Sequence, residues 1–177
     1  MLWQKFKEVL EKAPPTQYNT EGNGVPADVT WQMNSIRKAD GTSHCSGATF
    51  WGVIEVMKQL TSLQEEAALT PELIRSFIPW AWVYGGYSGG RKQGLPYALH
   101  KAGLGLFFEG GTPQEGDVCQ CWRPNGSGHL IFCAGYDDDG NLMEWSSSER
   151  DARGTGIRRF SGSLSEIYSF RFHQDFF

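Results

Sequence analysis

An α+β fold, with N-terminal helices packed on a C-terminal antiparallel β-sheet, is what the order of patterns along the chain predicts. Before Gly103, apolar residues recur at helical spacing in four stretches; from Leu106 onward they fall into six short runs separated by turn signals. Helices in one half and hairpin-linked strands in the other are the pattern of helices laid on one face of a sheet. Size sets the third constraint. A chain of 177 residues, 40% hydrophobic and 14% aromatic, suffices for one well-packed domain, taken as residues 1–177, and is short for two.

The elements follow in order. Leu2, Phe6, Val9 and Leu10 mark a first amphipathic helix, ended by Pro14-Pro15. Thr16 to Gly41 holds Gly22, Gly24, Pro26 and Gly41 with no sustained period, which predicts an irregular strap across the surface. In Ala48 to Leu60, the residues Phe50, Val53, Ile54 and Met57 share one helical face, with Leu60 close to it; Cys45 then stands at the helix start. Thr70-Pro71-Glu72 supplies an N-cap, a proline at the first helical position and an acid in the first turn. That helix carries Leu73, Ile74, Phe77 and Ile78, and Pro79 should end or kink it. Pro96 to Ala102 reads as a short helix with Gly103 as its C-cap. The strands are Leu106–Phe108, Val118–Trp122, Leu130–Ala134, Leu142–Trp145, Ile157–Phe160 and Ile167–Phe172, divided by turns such as Pro124-Asn125-Gly126 and Asp139-Gly140-Asn141.

Composition excludes several functions. Sixteen basic against twenty acidic residues give a net charge of −4, and no Lys/Arg cluster exceeds a pair, so no nucleic-acid partner is expected. Gly89-Gly90-Arg91-Lys92 fails the phosphate-loop pattern, which needs Gly-Lys-Ser/Thr. No apolar run is long enough to span a bilayer, so no membrane partner is expected either. Lys5, Lys7, Glu8, Glu11 and Lys12 interrupt the N-terminal apolar residues, so no signal peptide is read there. The expectation is a cytoplasmic protein or one exported by a signal-independent route. Cys119-Gln120-Cys121 has the look of half a metal site, but a second pair is missing and the spacing is short for zinc; neither metal nor cofactor is expected. Cys119, Cys121 and Cys133 read as small residues on buried strand faces, and a Cys119–Cys133 disulfide stays open.

Three polar positions carry chemistry. The unpaired N–H groups at a helix start favour a thiolate, a far stronger nucleophile than a thiol. Cys45 has that placement. Gly128 delivers His129 to the beginning of a strand, and the next strand brings Glu144 and Ser146, which share a face by alternation. A cysteine, a histidine and a polar residue that orients the imidazole are the parts of a thiol hydrolase. Both Glu144 and Ser146 are candidates for the third part; Glu144 is favoured because a carboxylate stabilises an imidazolium better than a hydroxyl does.

These residues lie in short motifs. His44-Cys45-Ser46-Gly47, Gly116-Asp117-Val118, Gly128-His129-Leu130-Ile131-Phe132 with Gly135, and Glu144-Trp145-Ser146-Ser147 resemble the motifs of the NlpC-type cell-wall peptidases. In that bacterial branch of the papain-like cysteine peptidases the motifs run Asp-Cys-Ser-Gly, Gly-Asp-Leu, Gly-His-Val-Gly-Ile and His-Ala-Ser-Ser, in the same order. The resemblance implies a papain-like NlpC-type fold, Cys45 as nucleophile, His129 as general base and peptidoglycan peptides as substrate. The chain departs from the pattern at His44, where an acid is usual, and at Glu144, where His, Asn or Gln is common. The aromatic-glycine loop from Trp82 to Gly94 offers Tyr84 and Tyr87 as contact surfaces and Arg91 as a clamp for a substrate carboxylate. Two other functions compete: a papain-like amidase or acyltransferase acting on another substrate, and a non-catalytic binding module. Whether a protein inhibitor or immunity partner exists stays open.

Overall fold

The computed structural model describes residues 2–60, 69–83, 90–150 and 152–176. Helix α1 (Leu2–Leu10) is followed by short strands β1 (Gln17–Tyr18), β2 (Val29–Trp31), β3 (Asn34–Arg37) and β4 (Thr42–Ser43). Then come helices α2 (Cys45–Gln59), α3 (Pro71–Ser76), α4 (Ile78–Ala81) and α5 (Gly94–Lys101). The second half holds β5 (Gly105–Glu109), β6 (Val118–Trp122), β7 (Gly128–Tyr136), β8 (Leu142–Ser147), β9 (Thr155–Arg159) and β10 (Glu166–Phe172), with a closing 3-10 turn, Gln174–Phe176. The last six strands form one antiparallel sheet in the order β5-β10-β6-β7-β8-β9. The α+β class is therefore the observed one.

Alternation divides the sheet's side chains between two cores. Val118, Leu130, Phe132, Trp145, Phe170 and Phe172 join the helices in the main core, where Phe132 meets Phe6 and Trp145 edge-on at centroid distances of 6.2 and 6.0 Å. The other set, Cys119, Cys121, Ile131, Cys133 and Leu142, forms a smaller core with Phe160 and Ile167 packed against it. All four cysteines are free, so Cys119 and Cys133 do not pair.

Helix α2 is the hub. Its predicted apolar stripe is buried, but so are Gly47, Ala48, Thr49, Trp51, Gly52 and Val56, so the helix is enclosed nearly all round. The small residues allow this: a Cβ on Gly52 would stand 2.6 Å from Leu10 and 2.9 Å from Phe132, which means that α1 and the sheet close on the helix at that point. Thr70 caps α3 as its sequence predicts, its hydroxyl accepting from Leu73 N. The helical run breaks at Phe77, between α3 and α4, and Pro79 is the second residue of α4, where a proline gives up no intrahelical hydrogen bond.

The strap is more regular than its sequence suggests. β1 pairs in parallel with β4, Tyr18 beside Ser43, and β2 pairs with β3 in a hairpin. The hairpin turn is Gln32-Met33, at φ 46° and 63°. Tight hairpins prefer Asn or Gly at such positions, so no turn signal was there to read. Asn34 Nδ2 donates to the Gln32 carbonyl at 2.9 Å and braces the turn.

Candidate active site

Cys45 is the first residue of α2, and His44 is the N-cap in extended conformation (φ −142°, ψ 171°). The strap fixes this start. His44 N donates to the Gly24 carbonyl at 3.2 Å, and a Cβ on Gly47 would stand 2.0 Å from the same oxygen. Gly24, at φ +75°, lies flat against the His44 ring, where any side chain would collide with Nε2. Trp82 Nε1 donates to His44 Nε2 at 3.1 Å, while Arg37 stacks on Trp82 with its guanidinium carbon 4.4 Å from the ring centroid. A neutral imidazole accepts at only one nitrogen. The Trp82 bond makes that nitrogen Nε2 and leaves the 3.4 Å approach of Gly47 N to Nδ1 as a weak cap contact.

A hydroxyl chain ties the segment just before Cys45 to distant parts of the chain. Thr16 Oγ1 and Ser43 Oγ are 2.6 Å apart, and Ser43 Oγ and Ser147 Oγ are 2.7 Å apart. This joins the strap, the residue two before Cys45 and the end of β8. A second tie fixes α2 to β7: Thr49 Oγ1 and Ser146 Oγ both donate to the Leu130 carbonyl, each at 2.9 Å. The residue after His129 is thereby held from both sides.

His129 opens β7 as predicted, and it is the Cα partner of Cys121 on β6. Its Nε2 lies 3.1 Å from Glu144 Oε1, which leaves Nδ1 for the hydrogen bond with the Cys45 thiol. Burial alone would raise the Cys45 pKa. The charge and hydrogen bond of His129 outweigh it, with help from His44 and the Leu130 backbone, and the thiol falls well below its ordinary value. Burial likewise acts to lower the His129 pKa, but Cys45 and Glu144 overcome it and raise the imidazole to about 9. Both shifts favour a thiolate–imidazolium pair. The remaining thiols move the other way: burial raises Cys119 and Cys121 well above normal and Cys133 to about 11.

Of the two candidates for the third part, Glu144 is the one beside the imidazole. It is 2% exposed, and Arg158 Nε contacts its Oε1 at 2.9 Å. Ser146, also buried, spends its hydroxyl on the Leu130 carbonyl instead. The three groups Cys45, His129 and Glu144 line one cleft of about 340 Å³, together with Tyr18 and Ser147. Arginines 123, 150, 158 and 159 line it as well, with the carboxylates Glu144 and Glu149; Arg158 pairs with Glu144, and Arg159 with Asp137 and Asp139. Among the described residues no group of three or more His, Cys, Asp or Glu side chains is gathered to hold a metal ion, and no helix is long and apolar enough to cross a membrane.

Arg91, the expected clamp, is not among the residues around this cleft; its guanidinium carbon sits 5.7 Å from the Trp80 ring centroid. Tyr84 and Tyr87 lie outside the described residues. Sequence reasoning missed Tyr18 and the four cleft arginines. Tyr18 reaches the cleft only through the β1–β4 pairing, and Arg158 reaches Glu144 only through the β8–β9 register; neither pairing leaves a local signal. Comparison with family models, with curated proteins and with solved structures returns no match.

Proposed function

We propose that the protein is a papain-like cysteine hydrolase of the NlpC type that cleaves amide bonds in peptidoglycan peptides. The observation that carries this reading is the Cys45–His129–Glu144 constellation, with a thiol pKa pushed down and an imidazole pKa pushed up across one hydrogen bond. The Cys45 thiolate attacks the scissile carbonyl. The oxyanion gathers at the start of α2, where the first N–H groups have no acceptor within the helix. Imidazolium Nδ1 of His129 then protonates the leaving amine, and the same nitrogen, now neutral, takes a proton from the water that releases the acyl group. Glu144 holds the ring through Nε2 in both steps. Two features support an acidic peptide as substrate: the order of the NlpC-like motifs, and Arg123 and Arg150 at the cleft beside a single exposed carboxylate, Glu149.

Digestion of purified peptidoglycan, followed by mass spectrometry of the released fragments, tests the proposal. The expected product is one new amine and one new carboxylate at a stem or cross-bridge amide, absent with Cys45→Ala. Rapid alkylation of Cys45 with no cleavage of peptidoglycan would move the same chemistry to another substrate. Ordinary thiol reactivity at Cys45 would remove the catalytic reading.

A further inference from the structure

Glu144 departs from the family pattern in a specific way, since a buried carboxylate stands where a neutral side chain is common. Its surroundings are unusual as well. On β8 it is the Cα partner of Cys133 on one side and Arg158 on the other, so all three project from the same face of the sheet. Arg158 Nε is 2.9 Å from Glu144 Oε1, the oxygen that lies 3.1 Å from His129 Nε2, and Arg158 Nη1 donates to the Ser146 carbonyl at 3.2 Å. We propose that Arg158 is a positioning residue that offsets the charge of Glu144, so that the carboxylate–guanidinium pair acts on His129 as a neutral third member. The inference rests on the reading of Cys45 and His129 as nucleophile and base.

The physical case is one of charge balance in a site shielded from water. Thiolate, imidazolium and a bare carboxylate together carry one net negative charge. That excess would hold the proton on the imidazole too firmly for transfer to a leaving amine, because a general acid works best when its pKa is near the operating pH. A guanidinium in contact with the carboxylate cancels the excess, and Oε1, shared between Arg158 Nε and His129 Nε2, still orients the ring. Other groups around His129 and Glu144 do not do this. Cys121 and Cys133, the neighbours on β6 and β7, have raised pKa values and are neutral. Arg123 is engaged with the Ser161 carbonyl and the Phe160 ring, and Arg159 with Asp137 and Asp139. Glu149 and Arg150 lie exposed at the rim, and the Tyr18 pKa is raised, so that phenol is also neutral.

The His129 pKa, followed by the NMR shifts of its ring and assigned with a His129 variant, tests the proposal in the full chain. The pH profile of Cys45 alkylation is measured beside it. Arg158→Gln should raise the His129 pKa by about one unit or more, the size expected when an opposite charge is lost beside a carboxylate. Arg158→Lys should hold it near the wild-type value, and Glu144→Gln should lower it. The double variant Glu144→Gln/Arg158→Gln should return it to within about half a unit of wild type. If Arg158→Gln fails to fold, the double variant decides alone, since it leaves neither buried charge unpaired. A double variant whose pKa falls as far as that of Glu144→Gln, or an Arg158→Gln protein with an unmoved His129, overturns the proposal. None of these readouts needs a substrate, so the outcome is separate from whether peptidoglycan is cleaved.

Discussion

Cys45 and His129 hold opposite pKa shifts that stabilise the same protonation state, and the pH behaviour follows with its sign. The imidazole keeps its proton up to about 9, while the thiol has lost its proton well below its ordinary value. Between those limits the ion pair is present; above about 9 the thiolate survives but the proton for the leaving amine is gone. Turnover should therefore decline as pH rises through 9 while alkylation of Cys45 stays fast. Iodoacetamide at mildly acidic pH should label Cys45 well ahead of Cys119, Cys121 and Cys133, mapped by peptide mass spectrometry, because thiolate fraction controls the rate. His129→Ala should cost roughly 10²–10⁴-fold in kcat/KM, the usual share of a positioned general base. Ser146→Ala separates chemistry from support: it removes one of two hydrogen bonds to the Leu130 carbonyl and should lower stability by about 1 kcal/mol in chemical denaturation. The His129 pKa should not move in that variant.

Where α2 begins is settled by contact with the strap, and the test belongs to those two elements. Gly47→Ala places a methyl group 2.0 Å from a backbone oxygen that also receives His44 N, so neither partner can yield alone. We expect a loss of about 1–3 kcal/mol, as for other overpacked sites, and a slower alkylation of Cys45 as the helix start shifts. Equal alkylation rates in wild type and variant would mean that the strap does not set the thiol. Elements with local signals were legible in the sequence: Thr70 and Pro71 open α3, and β7 starts where Gly128 ends its turn. The strap strands were not, because Gln32-Met33 turns the β2–β3 hairpin without a turn residue and β1–β4 is only two residues long. For the same reason Cys45, His129 and Glu144 could be singled out from motif, alternation and charge, whereas finding Arg158 required the register of β8 against β9.

At the scale of the molecule, helix and sheet meet through Phe132, buried completely among Phe6, Trp145 and the open side of Gly52. Phe132→Ala should cost about 3–5 kcal/mol in denaturation midpoint measurements, the range for emptying an aromatic site in a packed core. It should also loosen the seat of α2, so that Cys45 alkylation slows even where the protein remains folded. The hydroxyl chain through Ser43 bears on a different stage in the life of the chain. Ser43 and Ser147 are 104 residues apart, so at synthesis rates of about 5–20 residues per second the partner of Ser43 emerges roughly 5–20 s after it. His129, Glu144 and Arg158 also follow Cys45 late in the order of synthesis. While it is being made, the nascent protein thus lacks His129, the main group that lowers the Cys45 pKa, and the shift arises only when the second half of the chain has closed over it.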